Sequence, residues 1–289
     1  MRRVEEIDYS QYSNTQLVAV PAVLLGATLL LVGGTFLATG APADLGFQFT
    51  GGVSVQVTTD DPLSTVESGF RDVEDLPEPA SVRSVSTGAV VNYEPLNDGQ
   101  VDRLNDYLDA NYPESSVDTV TPAYGRSLLF QSMTAVAFAF VIMVITIFAF
   151  FRSFVPSIAV VISAFSDMLV PIGVMNLVGI ELSLATIPAV LLLIGYSIDS
   201  DILLTRNTLQ GRRSQFYENV RIAMRTGVTM TITSMAAMAM MTVAAQAFAI
   251  FTLRDIGVIL FVGLATDLVN TYMMNVSLLR WHIKGGGWS

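Results

Sequence analysis

Four carboxylates stand inside otherwise apolar runs: Asp167 in ISAFSDMLVPIG, Asp199 and Asp201 in LIGYSIDSDILL, and Asp267 in FVGLATDLVN. A carboxylate near the middle of a bilayer costs about 2.5–3.5 kcal/mol on insertion scales, so each is by default a functional group. No Lys or Arg falls in the middle of these runs. Each acid must then be protonated, bind a cation, sit in a wet cavity, or meet a partner on another chain. Those are the states through which a cation-coupled transporter cycles, with desolvation as the lever on protonation. The packing alternative is a protonated acid making a hydrogen bond between helices.

Depth along the helices ranks the four. At the helical rise per residue, Asp167 lies roughly 18 Å into the third apolar stretch and Asp267 roughly 16 Å into the sixth. Asp199 lies about 10 Å before Arg206, which marks the water interface. Asp201 is closer to that interface and, two residues on, points to nearly the opposite side of the helix. Asp201 therefore reads as an interfacial acid within reach of headgroup water or Arg206, and Asp199 as the working carboxylate. Gly195 and Tyr196 share the Asp199 face, where a glycine admits another helix or chain.

The elements that must position these acids follow from hydropathy. The chain is 52% hydrophobic and only 14% charged over 289 residues, with a positive mean hydropathy; a soluble domain carries about 25% charged residues. Six apolar stretches reach the roughly 20 residues that cross a bilayer as a helix, near 17–37, 132–151, 155–178, 182–205, 228–252 and 256–280. The first follows Arg2 and Arg3 and is too long for a signal-peptide core, so it is expected to remain as an anchor. Ten cations fall on one side: Arg2, Arg3, Arg152, Arg206, Arg212, Arg213, Arg221, Arg225, Arg280 and Lys284. Only Arg254 lies in the opposite short turns. The positive-inside rule then places residues 1–16, the loop 206–226 and the C-terminus in the cytoplasm, and residues 38–126 outside. Gly211 and Ser289 should face inward.

Residues 40–126 carry fifteen acids against four arginines, a net charge of −11. Val53-Ser54-Val55-Gln56-Val57 alternates as a strand, and Asp61-Pro62 reads as an N-cap and first helical residue for 62–75. Strands at 82–85, 89–93 and 116–120 and a helix at 98–110 complete the order βαββαβ, a ferredoxin-like α+β domain. With one lysine against fourteen arginines and a net charge of −10 for the whole chain, this acidic surface fits a salt-rich habitat.

Several chemistries are excluded. There is no cysteine and one histidine, His282, so no disulfide framework, thiolate metal site or Ser-His-Asp triad is available. No phosphate-loop motif occurs; no enzyme activity, metal or cofactor is expected, and any energy must come from a gradient or a partner. The polar stripe Thr226, Thr229, Thr231, Thr233 and Ser234, and the methionines Met230, Met235, Met238, Met240 and Met241, read as packing.

Three segments together resemble a known family. Gly195-Tyr196-Ser197-Ile198-Asp199, the run Gly46-Phe47-Gln48-Phe49-Thr50-Gly51-Gly52, and Arg225-Thr226 are similar to signatures of the SecF family, the accessory membrane subunit of the Sec protein-export channel. Residues 263–272, GLATDLVNTY, resemble its archaeal branch. The resemblance spans nearly the whole chain. It implies half of a resistance-nodulation-division transporter in the cytoplasmic membrane, paired with a SecD-like subunit and acting with the Sec channel on an unfolded polypeptide in transit. It also implies contact with lipid, use of H+ or Na+ and no nucleic acid. By the same resemblance Asp199 matches the fourth-span aspartate of SecD, and Arg225 the arginine entering the fifth span of SecF. Two departures stand out: Gln48 replaces the usual acid of G-x-D-F-x-G-G, and Asp199-Ser200-Asp201 stands where bacterial members have Asn-Asp. A half-transporter for small molecules or lipids, and a structural clamp without ion flux, are the competing readings.

Overall fold

The computed structural model describes residues 9–85, 87–210 and 215–283; Arg2, Arg3, Gly211, Arg212, Arg213, Lys284 and Ser289 lie outside them. A turn of 3-10 helix (Tyr9–Gln11) precedes α1 (Asn14–Thr39), which Ser13 caps in a reciprocal box with Gln16. A helical turn, α2 (Phe47–Thr50), leads into β1 (Gly52–Thr58), α3 (Leu63–Arg71), β2 (Ser81–Val85), β3 (Gly88–Tyr93), α4 (Asp98–Asn111) and β4 (Ser115–Val120). Then follow α5 (Pro122–Phe151), α6 (Phe154–Val178), α7 (Thr186–Gln210), α8 (Phe216–Ala247) and α9 (Phe251–Val269). A π-helical segment (Asn270–Asn275) continues α9 into α10 (Val276–Ile283).

In lipid, a spanning segment must satisfy its backbone internally, which leaves helices as the solution for long apolar runs. Among the described residues six helices are long and apolar enough, the sixth being the compound helix from Phe251 to Ile283. Most overrun the hydropathy boundaries. The helix expected near 132 begins at Pro122, straight after β4, with Thr121 as N-cap and the proline in the first turn. Most of the expected loop 206–226 is also helical, because α7 runs on to Gln210 and α8 starts at Phe216. Hydropathy locates the apolar middle of a helix and misses polar ends that project past the hydrocarbon.

The four strands form one antiparallel sheet in the order β2-β3-β1-β4, the ferredoxin-like arrangement expected from βαββαβ. Val53, Val55 and Val57 alternate inward, and with Val91, Tyr93, Val66, Phe70, Leu104 and Leu108 they build the domain core beneath α3 and α4. The N-cap of α3 is Pro62 rather than Asp61; the Asp61 carboxylate instead accepts from Thr59 Oγ1 at 3.0 Å.

In the bundle, α6 is the most enclosed helix, burying a face of Ser, Ala and Gly that lets its neighbours approach closely. A Cβ added at Gly173 would come within 2.7 Å of Thr28 Cγ2 on α1. By contrast, α5 and α8 bury little and line the outside.

Candidate functional site

Three of the four acids meet in one buried layer. Asp167 of α6, Asp201 of α7 and Asp267 of α9 are each 2% exposed or less. Asp167 accepts from Ser197 Oγ at 2.6 Å, Asn270 Nδ2 at 2.6 Å and Ser163 Oγ at 3.4 Å. Asp201 accepts from Asn275 Nδ2 at 2.6 Å and Thr271 Oγ1 at 2.7 Å. Ser200 Oγ lies 2.7 and 2.9 Å from the two oxygens of Asp267.

Thr271 joins the acids. Its Oγ1 is 2.7 Å from Asp201 Oδ1 and also 3.2 Å from Asp267 Oδ1, yet a threonine has one hydroxyl hydrogen to give. With the hydrogen donated to Asp201, the Asp267 contact is satisfied when that carboxyl carries its own proton. Ser197 and Ser200, one turn apart on α7, extend the network from Asp267 to Asp167. Asp201 Oδ2, Thr205 Oγ1, Asn275 Oδ1, Asn270 Oδ1 and Ser166 Oγ have no hydrogen-bond partner among the described residues. These are all oxygens, able to accept a proton or coordinate a hard cation.

The layer contains no positive side chain. The one buried cation among the described residues, Arg280, is engaged at the end of the bundle away from the sheet domain. It donates to the carbonyls of Tyr9 at 3.0 Å and Tyr12 at 2.9 Å, and to the Asn14 side chain. No three His, Cys, Asp or Glu side chains among the described residues form a metal cage.

The π-helical segment sets this geometry. Asn270 and Asn275 are five residues apart, and the wider π turn, with its i→i+5 spacing, presents both to neighbouring carboxylates; such segments are frequent at functional sites. Tyr272 in the same segment packs against Gly227 of α8, where an added Cβ would lie 2.0 Å from the phenol oxygen. That oxygen is buried without a hydrogen-bond partner among the described residues.

The structure corrects the reading of Asp201. It is fully buried and bonded to the π-helical continuation of α9, not interfacial beside Arg206, which is exposed. The two acids of LIGYSIDSDILL do point to opposite sides, but the inward one is Asp201. Asp199 is exposed, as are Gly195 and Tyr196, and lines a cleft with Gly227, Met230, Thr231 and Ser234 of α8. Its carboxylate has no hydrogen-bond partner among the described residues. Arg225 is exposed on α8 and likewise makes no ion pair with a described residue. Ser197, noted only as part of a motif, is a ligand of Asp167.

Gly46, Gln48, Phe49, Gly51 and Gly52 gather elsewhere, where the sheet domain meets the bundle. Gln48 Oε1 accepts from the backbone N–H of Leu184 at 2.9 Å, and Phe49 is buried in the bundle core with Leu182, Ile187 and Leu193. Ser200, Asn270 and Thr271 stand in the sequence only as parts of family-like motifs, and Ser163 and Asn275 carry no assignment there. A signal was present: Asp267, Asn270, Thr271 and Asn275 recur at i, i+3, i+4 and i+8, one polar helical face within an apolar run.

A family model described as protein export membrane protein SecD/SecF, C-terminal, matches residues 100–285. The chain is 47% identical over 281 residues to the protein-export membrane protein SecF of Haloferax volcanii, covering 96% of each chain. It is 38% identical over 281 residues to the SecF of Methanolacinia petrolearia, covering 97% of this chain and 98% of that one. Among solved structures it resembles SecDF of Thermus thermophilus, described as a translocon-associated membrane protein, with a TM-score of 0.72 at 21% identity. That match covers 96% of this chain and 40% of the solved one. With its six membrane helices, its βαββαβ domain and relatives aligned over almost their full lengths, the chain belongs to the SecF family of archaeal protein-export membrane proteins.

Proposed function

We propose that this chain is the SecF half of an accessory complex that promotes protein export through the Sec channel of the cytoplasmic membrane. In this reading a SecD-like chain covers the α7–α8 face, and H+ or Na+ passes by way of the buried carboxylate layer. The observation that carries the proposal is the linked set Asp167, Asp201 and Asp267, bridged by hydroxyls and amides without a neutralising cation. Three ionised carboxylates in such a layer repel one another and lack solvation, so the layer favours taking up a proton or a cation.

Asp199 adds support for a partner. It stands thirteen residues from Thr186, about 20 Å along α7, and a bare carboxylate facing lipid there is costly. A half-transporter of six helices needs its second half around a shared site. The orientation proposed has both termini in the cytoplasm and the sheet domain outside. Arg152, Arg206, Arg221, Arg225 and Arg280 all belong to the end of the bundle away from the sheet domain, and Arg254 to the other.

The test combines isolation with function. Mild solubilisation of the native membrane should recover a SecD-like chain with this one, and Asp201→Asn should reach the membrane, keep that partner and lose reporter secretion. Recovery as a monomer where the partner is present counts against the complex. Normal secretion by Asp201→Asn removes ion passage and leaves a structural clamp.

A further inference from the structure

We propose that the segment 44–48 is a mechanical coupler that fixes the sheet domain to the start of α7, with Gln48 as its positioning residue. This inference rests on the ion-relay reading, because α7 carries Ser197, Ser200 and Asp201 of the buried layer.

The attachment has several points. Leu182, in the turn between α6 and α7, donates its N–H to the Asp44 carbonyl at 2.7 Å, and its own carbonyl accepts from Gly46 N–H at 2.9 Å. Leu45 and Leu182 thereby form an isolated parallel β-bridge. Two residues on, Gln48 Oε1 takes the Leu184 N–H at 2.9 Å. Ser183 and Thr186 exchange the contacts of a helix N-cap, and Ile187 N–H reaches the Ser183 carbonyl at 3.2 Å. Leu184 N–H is thus one of the first-turn donors that a helix leaves unpaired, and Gln48 satisfies it from outside. From the sheet itself, Arg83 of β2 pairs with Glu181 at 3.0 Å.

The opposite side of the segment is equally tied. A Cβ on Gly125 of α5 would meet the Phe49 carbonyl at 2.6 Å, and one on Gly51 would meet Pro122 N at 2.7 Å. The turn α2 is therefore held between the first turns of α5 and α7. From Gln48 the path to the carboxylate layer is one continuous helix, so a shift of α7 that accompanies loading of the layer moves the coupler and the sheet domain with it.

This also accounts for glutamine where the family resemblance leads one to expect an acid. The position must accept from a helix N-terminus, which either side chain does. Glu181 already stands close by, its Oε2 lying 3.3 Å from where a Gly46 Cβ would be. A neutral acceptor avoids placing a second carboxylate there.

The experiment uses the full chain as the only copy in its native cells and reads membrane abundance, recovery of the SecD-like partner and export of a reporter. Gln48→Ala should insert and assemble normally but export roughly three- to tenfold more slowly, the scale of one lost hydrogen bond. Gln48→Glu, which keeps the acceptor, should retain most of the native rate. The chain has no cysteine, so a Leu45→Cys/Leu182→Cys pair can be closed cleanly; its disulfide should restore export to Gln48→Ala and reductant should remove that rescue. If Gln48→Ala does not accumulate, Glu181→Gln serves in its place, with a smaller loss of about twofold and the same rescue. Native-rate export by the variant that accumulates, or a defect that the disulfide leaves unchanged, overturns the coupler. Asp201→Asn in the same assay reports on the relay separately: normal export by that variant overturns the relay, while the Gln48→Ala defect and its disulfide rescue still read out the coupler.

Discussion

A buried hydroxyl or amide has value only through what it faces, and the carboxylate layer makes that measurable one residue at a time. Asp201→Asn preserves volume and an oxygen for Thr271 and Asn275, so it should cost about 1 kcal/mol or less in unfolding while abolishing export. Asp201→Leu strands both donors and should cost about 2–4 kcal/mol in detergent melts. The Tyr272 hydroxyl, buried without a hydrogen-bond partner among the described residues, argues the reverse: Tyr272→Phe should be neutral or slightly stabilising. Gly227→Ala, which drives a methyl into that hydroxyl, should destabilise by about 1–3 kcal/mol and be largely repaired in the double variant with Tyr272→Phe. Outside the membrane, burial pushes the Tyr9 phenol up to about 12. The folded chain holds that proton more tightly than an unfolded chain with a phenol near 10. Its stabilising contribution is complete below about pH 10 and is lost as pH climbs toward about 12. Tyr9→Phe should flatten that alkaline loss in melting curves. Which of Asp199 and Asp201 points inward was not legible in the sequence. Their opposition follows from helix geometry, but only packing against α6 and α9 decides which side is the inside.

Among the elements, the strands and α4 of the outer domain were legible to within a residue, because alternation such as that of Val53, Val55 and Val57 is a local signal, whereas the helix expected over 62–75 ends at Arg71. The helix ends and the π-helical segment were not, since no local propensity marks a surplus residue whose effect is to aim Asn270 and Asn275 at different carboxylates. Deleting one residue from Asn270–Asn275 should regularise the helix and leave α10 on its present face, because a π turn absorbs its surplus residue locally. Arg280 would then keep Asn14 and the Tyr9 and Tyr12 carbonyls, whereas Asn270 and Asn275 could no longer both reach their carboxylates. Export should fail while the N-terminal segment stays protected from protease, a split that separates the aim of the segment from the anchoring of α10. At the junction of domain and bundle, Gly52 has φ +148 with the Tyr93 carbonyl 2.3 Å from a would-be Cβ. Gly52→Ala should cost about 1–3 kcal/mol of strain or more, read as earlier melting of the sheet domain.

For the whole molecule, the arginine distribution predicts which side each part occupies. Single cysteines at Ser68 and Gly211 should react with an impermeant thiol reagent on intact cells at the first position and not at the second; the opposite pattern inverts the orientation. Asp199→Asn should lessen recovery of the SecD-like partner or its ion-dependent export, with the buried layer left intact. The exposed Asp199 has one more consequence, for the lifetime of the protein in the cell. A copy without its other half presents a carboxylate to the acyl chains, a marker by which an orphan subunit differs from an assembled one. Surplus chains should turn over quickly and assembled chains slowly, so that the supply of the partner sets the abundance of this one without any shared control of their synthesis.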